Sequence, residues 1–183
     1  IVIDDHSTDN TWELLQQLRF NGLQLKALAL KDHVEERSAI GSYKKKAIET
    51  GINAAAGQLI VTTDADCRFN PHWLQSIAAF YEANDAKFIA APVTFYNQST
   101  LLSVFQTLDF LTLQGITAAS VYKRFHSMCN GANLAYEKSA FYEVGGFNNI
   151  DTIASGDDML LMHKIFKQYP DKVFYLKNRN AIV

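Results

Sequence analysis

Leu59-Ile60-Val61-Thr62-Thr63-Asp64-Ala65-Asp66 begins as a short apolar run, Leu59–Val61, and passes without a break into polar residues. The run reads as a buried β-strand. In an open α/β sheet, ligands bind beyond the carboxyl ends of the strands, so carboxylates placed just after a strand stand where chemistry is done. Residues i and i+2 of an extended segment project the same way, so Asp64 and Asp66 can share one ligand. A hard divalent cation takes oxygen ligands, and Mg²⁺ uses one or two carboxylates together with substrate phosphates. Without a cation, two carboxylates facing one site repel, which raises the pKa of one of them. The plainer alternative is that one Asp caps the helix starting near Pro71 while the other faces water.

Upstream, Ile1-Val2-Ile3 is another short strand, followed by the polar turn Asp4-Asp5-His6-Ser7-Thr8-Asp9. Thr8 or Asp9 can cap the next helix, which carries Trp12, Leu14, Leu15 and Leu18 on its apolar face and stops at Asn21-Gly22. Leu23–Leu30 alternates and reads as a strand. Lys31–Ser42 is mostly polar and is expected to be mobile, and Tyr43–Ala56 reads as a helix ending at Gly57. Downstream, Pro71 opens a helix with Trp73, Leu74, Ile77, Phe80 and Tyr81 at helical spacing. Phe88–Ala91 and Val93–Tyr96 read as strands. Leu101–Ala119 is a long helix, apolar on much of its circumference, expected to pack as a core helix; the other possibility is a face lying on a membrane. A strand after Asn130-Gly131-Ala132-Asn133, a short helix Ser139–Val144 stopped by Gly145-Gly146, a helix through Lys167 and a final strand Val173–Leu176 complete the chain. Strands and helices alternate through the first half, which predicts a mostly parallel sheet flanked by helices. No repeat or linker interrupts residues 1–183, so one domain is expected.

The composition sets bounds. The 183 residues carry a net charge of −2 and are 48% hydrophobic, so no basic field draws the chain to nucleic acid and no disorder is expected. Cys67 and Cys129 are too few for a disulfide framework, which favours reduced thiols and a cytoplasmic setting. The chain opens and closes in apolar residues, so it is expected to be a fragment whose flanks include membrane segments.

Three more groups carry candidate chemistry. Asp4-Asp5 can accept hydrogen bonds from a nucleobase or ribose, or simply form an Asx turn. Asp157-Asp158 follows Ser155-Gly156 at a helix start, where acids stabilise the helix dipole; a carboxylate there could also take a proton from an acceptor hydroxyl. Asn130-Gly131-Ala132-Asn133 offers small residues and amides suited to a close ligand, or a tight turn. The five histidines show no metal spacing with the cysteines and read as structural.

Taken in order, these segments resemble the family-2 inverting glycosyltransferases with the GT-A fold, in their membrane-associated branch. Ile1–Asp9 is similar to the family's nucleotide-binding strand and turn. Lys44-Lys45-Lys46-Ala47-Ile48 is similar to its Gly-Lys-x-x-Ala-Leu helix start, with Tyr43 in the place of Gly and Lys44 as the corresponding lysine. Thr63-Asp64-Ala65-Asp66 resembles the metal-binding Asp-x-Asp motif. Cys129–Asn133, with Gly145-Gly146-Phe147, resembles the acceptor-side segment, and Gly156-Asp157-Asp158 stands where the family has its Glu-Asp pair. The family's first strand is expected before Ile1, and the Gln-x-x-Arg-Trp motif of its processive members is absent, either because it lies beyond Val183 or because this enzyme lacks it.

The resemblance implies a GT-A, Rossmann-like domain that transfers a sugar from a UDP- or GDP-linked donor to a glycan or lipid-linked acceptor. It implies Asp158 as the base beside Asp157, Asp4, Asp5, Lys44 and Asp64 on the nucleotide, and Asp66 with Asp64 on Mg²⁺ or Mn²⁺. Asn130, Gly131, Ala132 and Asn133 would meet the acceptor, at the cytoplasmic face of a membrane. Two other functions fit parts of the sequence. A phosphatase of the haloacid dehalogenase type also uses Asp-x-Asp and Mg²⁺, but its motif continues with an additional residue and then Thr or Val, where Arg68 stands. A nucleotide-sugar-binding module without catalysis is the other.

Overall fold

The computed structural model describes residues 1–22, 24–34, 42–96, 100–125, 128–150 and 156–183. They form two compact units, Ile1–Gly57 with Phe147–Asp157, and Gln58–Gly146 with Asp158–Val183. Leu23, residues 35–41, His126 and Ser155 lie outside the described residues.

In the first unit, β1 (Val2–Asp4) pairs in parallel with β2 (Ala27–Ala29), Asp4 beside Ala29. Parallel neighbours need a crossover, and α1 (Thr11–Gln17) supplies it. Asp9 Oδ1 accepts from the Thr11 N–H at 3.0 Å, so an acid does secure the start of α1. The apolar face expected of that helix is only partly covered: Leu14 and Leu18 are exposed. A 3₁₀ turn, Leu30–Asp32, follows β2, and α2 (Tyr43–Ala54) begins at Ser42, whose hydroxyl accepts from the Lys45 N–H.

The second unit holds a four-stranded sheet in the order β3-β5-β4-β6, made of β3 (Leu59–Thr62), β5 (Leu134–Glu137), β4 (Phe88–Ala90) and β6 (Val173–Tyr175). β4 and β6 are parallel, and β5 runs antiparallel to both β3 and β4. Three strands therefore point one way and one is reversed. Side-chain alternation puts Ile89 and Ala135 in a core with Trp73 and Ile77 of α3 (Trp73–Asn84). On the alternate positions, Tyr136 stacks on Phe88 and on Phe141 of α5 (Lys138–Glu143), centroids 6.1 and 5.9 Å away. The last helix, α6 (Asp157–Gln168), buries Leu161, Met162 and Ile165 completely or nearly so.

Two expectations are corrected. Val93–Tyr96 joins no ladder: the Val93 N–H donates to Gln114 Oε1 and the Thr94 N–H to the Val183 carbonyl. The long helix α4 (Leu101–Tyr122) does lie against β6, but it is not a buried core helix: only Gln114, Thr117, Ser120 and Val121 are buried, while Leu101 is 91% exposed. Its inner stripe is largely polar, and Gln114 serves the backbone next to β4. No described helix is long and apolar enough to cross a membrane.

Candidate functional site

The register of the second unit's sheet brings two of the candidate segments to one end. Thr62, the last residue of β3, lies opposite Leu134, the first of β5, and Leu134 lies opposite Ala90, the last of β4. The Asp64-Ala65-Asp66 turn leaves the sheet two residues past Thr62, and Asn133 enters it one residue before Leu134. The turn is closed by the Cys67 N–H donating to the Asp64 carbonyl at 3.2 Å, and Asp64, Ala65 and Asp66 are all exposed. Among the described residues, no three His, Cys, Asp or Glu side chains gather to hold a metal. Two exposed carboxylates are still a hard oxygen donor set of the kind Mg²⁺ completes with water and substrate phosphates. The residues present fit such an ion.

Asn130–Asn133 divides into two parts. The Asn130 side-chain oxygen accepts from the Ala132 N–H at 2.9 Å, and its carbonyl accepts from the Asn133 N–H, forming a compact turn. Asn130 and Gly131 remain half-buried, but Ala132 is buried and Asn133 is 0% exposed. The Asn133 amide donates to the carbonyls of Pro92 (2.8 Å) and Ala181 (2.7 Å) and accepts from Trp73 Nε1 (3.1 Å). Both donors of its amide are thus spent inside the protein. Asn133 therefore serves as a structural anchor at this end of the sheet.

Nearby glycines serve backbone geometry. Gly146 has φ +49°, and a Cβ there would come within 2.9 Å of the Phe141 ring, while its carbonyl accepts from Lys164 Nζ at 2.6 Å. Only glycine fits that turn without strain.

In the first unit, Asp4 and Asp5 at the end of β1 behave differently. Asp5 is exposed and pairs with His6 Nδ1 at 2.8 Å, and the His6 ring meets Tyr43 edge-on at 5.4 Å. That contact sets the start of α2 beside the end of β1. Asp4 is 6% exposed, and among the described residues its Oδ1 is a buried side-chain oxygen without a hydrogen-bond partner. Such an oxygen is costly unless a donor meets it. Lys44 is exposed on the first turn of α2. It is Lys45 that is buried, its ammonium donating to the Ile150 carbonyl at 2.6 Å. Sequence reading missed Lys45, although Ile48 and Ile52 follow it at helical spacing.

At the start of α6, Asp157 is buried and Asp158 is half-buried, with Asp158 Oδ1 accepting from the Met159 N–H at 2.8 Å. Both acids sit at a helix start, where the dipole favours negative charge.

A parallel β-α-β unit in one unit, and in the other a mixed sheet with two exposed carboxylates at one end, define an α/β protein with acidic side chains at its strand ends. Residues 1–145 match the model of glycosyl transferase family 2, and the chain belongs to that family. Its fold is the GT-A fold. The solved structures it resembles include S. aureus TarS 1-349, with 20% identity over 97% of this chain and 48% of that one, TM-score 0.62. The same protein in complex with UDP-GlcNAc aligns at 19% identity over 97% and 46%, TM-score 0.60. Glucosyl-3-phosphoglycerate synthase from Mycobacterium tuberculosis, in complex with Mn²⁺ and UDP-glucose, aligns at 14% identity over 96% and 56%, TM-score 0.60. The chain spans about half the length of these structures. No curated protein matches the sequence. Membership of this family leaves the phosphatase reading without support.

Proposed function

We propose that this chain is the donor-handling core of an inverting glycosyltransferase that moves a sugar from a UDP- or GDP-linked donor to a hydroxyl of a glycan or lipid-linked acceptor. The observation that carries the reading is the exposed Asp64-Ala65-Asp66 turn at the carboxyl end of β3, in a chain of this family. Relatives of the same fold hold UDP-GlcNAc in one case and Mn²⁺ with UDP-glucose in another, which supports the donor class.

The roles follow from chemistry. Asp66, with Asp64, would hold Mg²⁺ or Mn²⁺, which when bound supplies Lewis-acid neutralisation of the leaving diphosphate. Asp4 would receive a nucleoside N–H on its unpaired oxygen, and Asp5 would serve the ribose. Lys44 reaches toward phosphate. Asp158 accepts the proton of the attacking hydroxyl while Asp157 supports the start of α6. Attack from the face opposite the diphosphate inverts the anomeric carbon, by the geometry that governs inverting glycosidases. Asn130 and Gly131 would border the acceptor, with Ala132 beneath them. α6 joins β6 through only Tyr169–Lys172; a helix running antiparallel to β6 after so short a turn would carry its start toward the end of the sheet where β3 and β6 finish. The apolar side chains that α4 turns outward support placing the parent protein at the cytoplasmic face of a membrane.

Calorimetry with UDP and GDP in the presence of Mn²⁺, beside a donor-hydrolysis assay, tests the reading. Metal-dependent binding with sugar release is expected. Absence of any nucleotide binding would overturn it, and binding without turnover would assign the chain to a non-catalytic module.

A further inference from the structure

We infer that the exposed rings beside the Asp64-Ala65-Asp66 turn, Phe69 and Tyr96, form the acceptor subsite, and that the acceptor presents a sugar ring there. This inference rests on the transferase reading and names its acceptor class.

Phe69 lies flat on Trp73, ring centroids 4.6 Å apart at 17°, yet stays 53% exposed. Its support is rigid: Trp73 is buried, and its indole N–H is fixed by Asn133, itself tied to Pro92 and Ala181. Alongside, the Arg68 guanidinium sits 4.2 Å from the centre of the Tyr96 ring, which is 76% exposed. A single exposed apolar side chain is ordinary. Exposed rings on built supports, adjoining a pair of carboxylates, mark a binding surface.

The chemistry of the surface selects the occupant. A pyranose has one face of C–H groups and a rim of hydroxyls. The C–H face lies against the negative face of an aromatic ring, and the rim takes hydrogen bonds. Arg68, seated on Tyr96 and next in sequence to Phe69, brings donors, and the exposed Asn70 that follows Phe69 brings an amide. A lipid chain would need a continuous apolar trough, and these polar residues break it. Position agrees. Phe69 is three residues past Asp66, so the two Cα atoms stand at most about 11 Å apart.

The test uses the full chain in a Trp12→Phe background, which leaves Trp73 as the reporter beneath Phe69. Cellotetraose, maltotetraose and chitotetraose are titrated while Trp73 fluorescence is followed, and UDP with Mn²⁺ is titrated separately by calorimetry. At least one saccharide should change the emission saturably, with Phe69→Leu and Tyr96→Ala each weakening it about tenfold, as for a central aromatic contact. No saturable change with any of the three would overturn the acceptor subsite while the UDP result stands or falls by itself. Saccharide affinity unchanged in both variants would also overturn it. So would loss of a dimer in sedimentation, or of binding to phosphatidylcholine–phosphatidylglycerol vesicles, as the only effect of the substitutions; the rings would then serve a protein or lipid interface.

Discussion

The Trp73 indole N–H donates to Asn133 Oδ1 at 3.1 Å, which ties the first turn of α3 to the residue that leads into β5. With the Asn133 amide also donating to Pro92 and Ala181, one buried side chain joins four segments at the end of the sheet carrying the Asp64-Ala65-Asp66 turn. Asn133→Ala leaves one buried donor and two carbonyls without this partner. An unpaired buried polar group costs about 1–3 kcal/mol, so a loss of roughly 2–5 kcal/mol is expected in urea denaturation. A variant of native stability with weakened acceptor use would return Asn133 to a direct binding role.

The sequence made the elements legible where period and composition agree, and left obscure what depends on distant partners. Leu59–Thr62 and the Trp73–Ile77 face of α3 were readable because their apolar spacing matches their burial. The orientation of α4 was not readable. Its apolar residues surround the helix, and the stripe that turns inward is set by the Gln114 bond to Val93, 21 residues away. The role of Asn133 was hidden for the same reason, since its partners lie 60, 41 and 48 residues off. Val93–Tyr96 alternates like a strand, but its N–H groups at Val93 and Thr94 go to a side chain and to Val183. Of the candidate site, the carboxylates were visible as motifs, while the unpaired oxygen of Asp4 and the burial of Lys45 needed coordinates.

Asp66→Ala should abolish the Mn²⁺-dependent part of UDP binding, because Asp66 is exposed at the turn and belongs to the hard donor pair. Asp64→Ala should weaken it less. Calorimetry at several Mn²⁺ concentrations reads both; equal UDP affinity with and without metal in the wild type would remove the ion from the scheme.

Asp158→Asn keeps the shape of the helix start but removes the base. General-base catalysis contributes about 10²–10⁴-fold, so transfer should fall by that factor while UDP binding is retained. Wild-type turnover in this variant would reassign the base.

Asp4→Asn is expected to move stability and binding in opposite directions. The wild-type carboxylate buries an oxygen that no described residue serves. Removing its charge while keeping its shape should relieve the cost of burying an ionised group, so the ligand-free chain should gain stability while UDP binding weakens. Thermal unfolding and calorimetry on the same samples check both, and a destabilised variant would mean that Asp4 is already satisfied.

The Lys87–Glu137 pair predicts how stability responds to pH. Lys87 Nζ lies 2.6 Å from Glu137 Oε2, joining the start of β4 to the end of β5, and Tyr81 of α3 donates to the same carboxylate at 3.2 Å. Burial pushes the Glu137 carboxyl upward, but the hydrogen bonds from Lys87, Ser139 and Tyr81 outweigh it and hold the pKa below the usual 4.5. A carboxyl depressed by folding adds stability above its unfolded pKa, and that stability is lost as pH falls through the folded value. For Lys87 the hydrogen bond to Glu137 leads, against desolvation, and raises the ammonium above 10.5. Its contribution is fully present below 10.5 and is lost as pH rises through the raised value. Burial and Glu137 likewise lift the Tyr81 phenol above 10.0, so ionising it opposes folding on the alkaline side. Denaturation free energies should therefore be flat near neutrality and decline below about pH 4.5 and above about pH 10. Glu137→Gln should lower the neutral-pH plateau by about 1–3 kcal/mol, the range for a hydrogen bond to a charged group. It should also flatten the acid limb, because the group that must be protonated there is gone. An acid limb of unchanged slope in Glu137→Gln would move its origin to other carboxylates.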